Sequence, residues 1–149
     1  MFRGHFEHAI DAKGRTSLPS RFRDVLVTGG DLRAVLAPSP LDPCLEFYPL
    51  KAWEEFEAKI ATLPQFEPTV IRLRRVYVSA AVECEIDKQG RVLIPNSLRE
   101  HAGLTKDVFF AGMGRTVELW AKEKWAETHT LMSEAEKVDF RQELARLQI

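Results

Sequence analysis

The sequence predicts an α+β fold, mainly β, built from two copies of one small module with linking and C-terminal helices. Three observations predict it. The block from Phe6 to Arg23 recurs without a gap from Val82 to Arg99. The second copy opens on strict alternation of apolar and acidic residues, and the stretches between and after the copies carry apolar residues at helical spacing.

The repeat comes first, because self-similarity sets how every later motif is read. Glu7 and Glu83, Ile10 and Ile86, Asp11 and Asp87, Gly14 and Gly90, Arg15 and Arg91, Pro19 and Pro95, and Arg23 and Arg99 are identical pairs. Further on, Leu45-Glu46-Phe47-Tyr48 aligns with Val117-Glu118-Leu119-Trp120, and Trp53 aligns with Trp125. Two matching blocks in the same order make coincidence improbable.

The second copy shows the module most clearly. Val82, Cys84 and Ile86 alternate with Glu83 and Glu85, the period of a half-buried strand. Asp87-Lys88-Gln89-Gly90 is turn chemistry: Asp bonds the backbone two residues on, and Gly takes a positive φ cheaply. Arg91 to Ile94 reads as the return strand of a hairpin. Pro95 ends it and is favoured in a first helical turn. A short helix follows with Leu98 and Ala102 inward, and Gly103 is its C-cap. Val108 to Ala111 and Thr116 to Trp120 form a second hairpin across Gly112-Met113-Gly114. The first copy repeats this order with a Pro-rich turn, Pro38 to Pro43, in place of the Gly turn.

Between the copies, Leu50 to Ala61 puts Trp53, Phe56 and Ile60 at helical spacing. Pro64 and Pro68 break the chain, and Val70 to Val78 reads as a second linking helix. Helical segments run from Lys122 to Ile149 with an interruption near Ser133. Their apolar residues Trp125, Val138, Leu144 and Leu147 form partial stripes suited to core or subunit contacts. The expected divisions are a first module over 5–51, a helical linker over 52–80, a second module over 81–124 and a C-terminal helical segment over 125–149.

A chain of 149 residues, 45% hydrophobic and 29% charged, can bury a real core. Each half alone is marginal, which favours the halves packing together. No apolar run reaches the roughly 20 residues that span a bilayer. The opening Met1 to His5 lacks the apolar region of a secretory signal. Cys44 and Cys84 stand far apart without a partner spacing, as structural thiols of a reducing compartment do. A cytoplasmic protein without a membrane partner follows.

The net charge of −1 excludes a uniformly basic surface. Its distribution does not exclude a local one. Lys13, Arg15, Arg21 and Arg23 cluster about one shared turn, and Lys88, Arg91 and Arg99 about the other. The acids Glu54, Glu55, Glu57, Glu134, Glu136, Asp139 and Glu143 fall in the intervening and terminal helices.

The shared Asp-x-x-Gly-Arg turn admits two readings. Asp and Arg can clasp the hairpin with a charge-assisted hydrogen bond. Alternatively the turn faces DNA. A clasp needs no further cation, yet the copies add Lys13 or Lys88 within the turn and Arg23 or Arg99 on the next helix. The planar Arg fork bonds phosphate or a guanine edge bidentately, and a β-hairpin is narrow enough for the major groove. Both roles together suit the residues best, with Asp holding the turn or the guanidinium while Arg meets DNA.

The stretch Asp87-Lys88-Gln89-Gly90-Arg91-Val92-Leu93-Ile94-Pro95-Asn96-Ser97-Leu98-Arg99 resembles the AbrB/SpoVT class of swapped-hairpin DNA-binding modules. Two such modules in a chain opening Met1-Phe2-Arg3-Gly4, with Asp11-Ala12-Lys13-Gly14-Arg15, resemble the MraZ family of transcriptional regulators over nearly the whole length. The resemblance implies two modules packed as an intrachain pseudo-dimer of the double-split β-barrel type. It implies a cytoplasmic, nucleoid-associated, sequence-specific regulator that binds short direct repeats of double-stranded DNA, usually at the promoter of its own division and cell-wall operon. It also implies assembly with itself into homo-oligomeric rings; from the residues themselves, no cofactor is expected. The family's DNA-contacting Asp-x-x-x-Arg pattern carries over to Asp11, Arg15, Asp87 and Arg91. Lys13 is matched in the first copy, whereas the second has Gln89 there. A ring would repeat the turns at fixed spacing, so several engage successive repeats at high effective concentration.

An enzyme is disfavoured. His5 and His8 at i, i+3 in a strand point to opposite faces, and no ligand cluster accompanies them. There is no phosphate-cradling Gly loop and no nucleophile elbow. Catalytic and metal-binding residues are therefore expected to be none. The remaining alternative is an antitoxin-like protein-binding module. Such proteins resemble one module with a disordered tail, whereas this C-terminus has helical periodicity.

Overall fold

Each copy contributes four strands and one short helix to the fold, and a computed structural model describes all 149 residues. The first copy supplies β1 (His5–Ala9), β2 (Arg15–Ser17), α1 (Ser20–Thr28), β3 (Arg33–Pro38) and β4 (Leu45–Pro49). The linking stretch forms α2 (Leu50–Ala61) and α3 (Pro68–Leu73), the latter running on into a π-helical turn at Arg74–Val78. The second copy supplies β5 (Val82–Glu85), β6 (Arg91–Leu93), α4 (Asn96–Ala102), β7 (Asp107–Gly112) and β8 (Val117–Ala121). The chain closes with α5 (Lys122–Thr128) and α6 (Glu134–Arg146). The fold is α+β and mainly sheet, and no helix is long and apolar enough to cross a membrane.

The six-stranded sheet is open and runs β1-β7-β8-β4-β3-β5. Swapping the copies turns that order into its reverse. The first strand of each copy pairs with the third strand of the other, β1 with β7 and β5 with β3. A separate two-stranded ribbon joins β2 to β6, with the equivalent residues Thr16 and Val92 opposite each other at its centre. The hairpins β3–β4 and β7–β8 form as the sequence predicts.

The hairpin expected across each shared turn does not continue into a ladder. In the first copy a single bridge, Ile10 to Thr16, follows the turn before β1 and β2 part. The reason is physical. Period-two alternation says which face of a strand is buried but not which neighbour completes it. Here β2 and β6 find each other, and their central residues Thr16 and Val92 are fully buried.

One cluster of 20 buried residues fills the space beneath the sheet, and it mixes Phe22, Leu26, Leu36 and Phe47 with Ile94, Leu98, Phe110 and Leu119. The copies therefore share one core, in keeping with the marginal stability of each half. Phe2 joins it, edge-on to Phe22 at 5.5 Å, while its backbone bridges Gly114. The N-terminus thus closes over the β7–β8 turn. The short helices start after Pro19 and Pro95, which stand at the N-cap rather than inside the first turn. Gly103 ends α4 at φ +63°, the left-handed cap the sequence predicts.

The outer face of the sheet carries the helical extensions. Trp53 of α2 and Tyr77 of the π-helical turn bury themselves with Val35 and Ala37 of β3, and Tyr77 Oη donates to Tyr48 Oη at 2.9 Å. On the other half of that face, Trp125 of α5 stacks on Phe109 with ring centres 4.4 Å apart. The chain breaks over 129–133, where Ser133 caps α6 by accepting from the Glu136 amide. No residue of α6 is buried, so Val138 and its neighbours form no core within one chain. Cys44 and Cys84 are both free thiols, and burial pushes each up to about 12.

Candidate nucleic-acid interface

The two shared turns fold to nearly identical geometry. In the first, Asp11 Oδ1 accepts from the amides of Lys13 and Arg15, both at 2.9 Å. Asp11 Oδ2 accepts from Arg15 Nε at 2.8 Å. The Gly14 amide donates to the Asp11 carbonyl, and the Asp11 amide to the Arg15 carbonyl. In the second, Asp87 Oδ1 accepts from the amides of Gln89 and Arg91 at 2.9 Å, and Oδ2 from Arg91 Nε at 3.0 Å. Gly90 and Asp87 close the backbone in the same way. Gly14 at φ +86° and Gly90 at +76° occupy the left-handed region that their lack of a Cβ permits.

The clasp and an outward-facing role coexist in this geometry. Each Arg engages its Asp through Nε only, so neither terminal amino group makes a hydrogen bond within the chain. About a third of each guanidinium-bearing side chain is exposed, 31% for Arg15 and 30% for Arg91. An Arg fixed at Nε is pre-organised to present its two terminal amino groups to an anion. Both aspartates are held below the ordinary carboxylate range, chiefly by the Arg15 or Arg91 amide and further by the same residue's guanidinium. They are ionised at neutral pH. Lys13 and Lys88 are exposed and form no ion pair within the chain.

The ribbon sets where the turns stand. The Leu18 amide donates to Gly90 and the Ile94 amide to Gly14, extending the β2–β6 pairing to both turns. Gly14 and Gly90 therefore mark opposite ends of one ribbon. Four strand rises of roughly 3.4 Å separate Gly14 from Leu18, so the turns lie about 14 Å apart.

The helix arginines are placed differently from the sequence reading, which grouped Arg23 with Lys13 and Arg15, and Arg99 with Lys88 and Arg91. Arg23 lies against Gly90, and Arg99 against Gly14. The antiparallel ribbon causes this, because it brings the end of each copy's second strand, and the helix after it, beside the other copy's turn. No local sequence signal carries that pairing.

Other candidate chemistry stays dispersed. His5 contacts Phe109 and Trp125 on the outer face, while His8 contacts Phe110 of the inner face. No group of three metal-ligating side chains comes together. The cavity between α2 and α3, about 340 Å³, is lined mainly by Ile60, Ala61, Leu63, Val70 and Val78 with Glu57 and Arg74 at its polar side.

Comparison with known proteins agrees with the paired architecture. The family described as "MraZ protein, putative antitoxin-like" matches residues 1–76 and again 78–148, one match per half. A protein of Thermoanaerobacter pseudethanolicus named transcriptional regulator MraZ is 50% identical over 127 residues, covering 85% of this chain and 85% of its own. Proteins of the same name from Heliobacterium modesticaldum and Marinomonas sp. are 45% and 44% identical, each covering more than four-fifths of both chains.

Proposed function

The chain belongs to the MraZ family, whose curated members are named transcriptional regulators, and on that premise we propose that it binds double-stranded DNA through its paired Asp-x-x-Gly-Arg turns. The observation that carries this reading is the orientation of Arg15 and Arg91. Each is anchored at Nε by its own aspartate and leaves both terminal amino groups uncommitted, at opposite ends of one ribbon. The separation of about 14 Å is close to the roughly 12 Å width of the major groove. Asp11 and Asp87 position, Arg15 and Arg91 contact, and Lys13 and Lys88 add charge toward phosphates.

The strand pairing supports an intrachain pseudo-dimer of swapped-hairpin modules of the double-split barrel type, over 5–51 and 81–124, with helical extensions over 52–80 and 125–149. The regulator acts in the cytoplasm at the nucleoid, on short direct repeats upstream of its own division and cell-wall operon. Several copies assemble into a ring so that many turns engage successive repeats. A single chain offers few cations against its net charge of −1, which favours such multiplication.

DNase footprinting of the purified chain on the DNA upstream of its own gene tests the proposal. Protection of regularly spaced short repeats is expected, weakening steeply with salt. Absence of protection at low salt would sink the reading. A small toxin co-purifying with the chain would favour the antitoxin-like alternative instead, and α6, none of whose residues is buried, is the segment available for such a partner.

A further inference from the structure

We propose that each DNA-facing turn is a composite of both copies, in which Arg99 serves the Asp11–Arg15 turn and Arg23 serves the Asp87–Arg91 turn. The inference rests on the DNA-binding reading and deepens it by assigning two residues in trans.

The close approach to the two glycines carries it. A Cβ added at Gly14 would lie 2.8 Å from Arg99 Cζ and 2.9 Å from its Nε. A Cβ at Gly90 would run into Arg23 Nη1 and lie 3.1 Å from its Cζ. Arg99 therefore sets its Nε–Cζ edge against the bare α-carbon of Gly14, and Arg23 points Nη1 at that of Gly90, each on the opposite copy's turn. These glycines do two things: they take the positive φ, and they leave room for the incoming arginine.

Charge gives the arrangement its purpose. Within the first turn Asp11 offsets one of the two cations Lys13 and Arg15, and within the second Asp87 offsets one of Lys88 and Arg91. Arg99 and Arg23 have no carboxylate partner, so each doubles the net positive charge of the turn it covers. Arg99 Nε is buried without a hydrogen-bond partner. Gly14 covers that atom, so the terminal amino groups of the half-buried Arg99 are the part left to meet an anion. A DNA phosphate oxygen arriving between Arg15 and Arg99 is the acceptor of matching charge, and the symmetrical place lies between Arg91 and Arg23. Arg99 also positions, since it packs against the Gly14 α-carbon beside Arg15.

The trans assignment has a signature that a cis assignment lacks. Binding of the full chain to a duplex from upstream of its own gene is measured for Arg15→Ala, Arg91→Ala, Arg23→Ala, Arg99→Ala and the cross-combinations. Residues sharing one phosphate couple, whereas independent ones multiply. The Arg15→Ala, Arg99→Ala double variant is expected to bind within about threefold of Arg15→Ala alone, while Arg91→Ala with Arg99→Ala shows the product of the single losses. Arg99→Lys should retain binding and the slope of log affinity against log salt, which Arg99→Ala lowers by about 0.9. Coupling of Arg23 with Arg15, or full multiplication in every pair, overturns the proposal.

Amide NMR of the DNA-free protein separates this from failure of the DNA reading. The Gly14 amide should shift in Arg99→Lys and not in Arg23→Lys. The opposite result overturns the trans placement even if no DNA binds, and the lysine variants keep the test open should an alanine variant fail to fold.

Discussion

The two turns are held by the same five hydrogen bonds, yet the helices that follow the two modules behave differently. After the first module, α3 and its π-helical turn fold back over α2, and Tyr77 is 3% exposed. After the second, no residue of α6 is buried and Phe140 is 50% exposed. The repeat is retained where backbone geometry is demanding and lost where a surface can serve more than one purpose. A left-handed glycine closed by an aspartate tolerates few sequences, whereas a helix on a sheet face tolerates many.

The largest effect should come from breaking the extension that is packed. Tyr77→Ala removes a ring in contact with Trp53 and Phe56 and the hydroxyl that bonds Tyr48. A loss of about 3 kcal/mol in chemical denaturation is expected, as for other large-to-small changes of buried aromatics. Phe140→Ala in α6 should stay within about 0.5 kcal/mol for the isolated chain. Equal losses would mean that α6 is docked in solution and that the extensions are alike after all.

Next in size is the contrast between the turn arginines. Arg15→Ala should lower affinity for the upstream duplex about 100-fold, in the range of a lost bidentate Arg contact, with the melting temperature little changed. Arg91→Ala should cost less, because the second turn has Gln89 where the first has Lys13 and sets its lysine one place earlier, at Lys88. Competitive gel retardation at fixed salt decides between them. Because the folded aspartate pKa values are depressed, the clasp is fully present above the ordinary carboxylate range and is lost as pH falls through the folded value. Binding across neutral pH should therefore owe no pH dependence to Asp11 or Asp87.

Much of this comparison was legible in the sequence, and what was missed has one cause. The α2 helix, the β3–β4 and β7–β8 hairpins, the turn glycines and the break before α6 follow from local chemistry: apolar spacing, proline, glycine φ and a serine cap. Partner choice does not. Nothing near Val82 says that β5 will lie beside β3, and nothing near Arg23 says that its guanidinium will rest on Gly90. Phe2 likewise reads as a terminal residue, although it fills the shared core. Of the candidate site, the turn residues could be picked from repetition, but the trans arginines required the antiparallel ribbon.

The glycines sharpen the comparison further. Gly14→Ala and Gly90→Ala each force a side chain into the left-handed region, a cost of about 1–2 kcal/mol. Their surroundings differ. The new methyl at Gly14 also meets the Ile94 carbonyl oxygen at 2.9 Å, a backbone atom of the residue whose amide donates to the Gly14 carbonyl. At Gly90 the close neighbour is the Arg23 side chain, which can swing away. Gly14→Ala should be the more destabilising of the two in thermal unfolding. The reverse ranking would show that the ribbon yields more readily than the arginine.

The smallest expected effect asks whether the two turns stand equally near DNA. Lys13→Gln gives the first turn the residue that the second carries at Gln89, and Gln89→Lys does the converse. Neither side chain is needed for the turn, since both positions contribute only their backbone amide to the aspartate. Folding should be unaffected, and the difference should be electrostatic alone. If Lys13 meets a phosphate, Lys13→Gln lowers the salt slope by about 0.9 and weakens binding several-fold at low salt. If the second turn approaches the backbone as closely, Gln89→Lys raises the slope by the same amount. A loss from Lys13→Gln with no gain from Gln89→Lys would make the first copy the leading contact and the second its support, whereas matched, opposite changes would make the turns functionally equal. No change in either slope would place that corner of both turns away from phosphate and leave the arginines as the main source of the salt dependence.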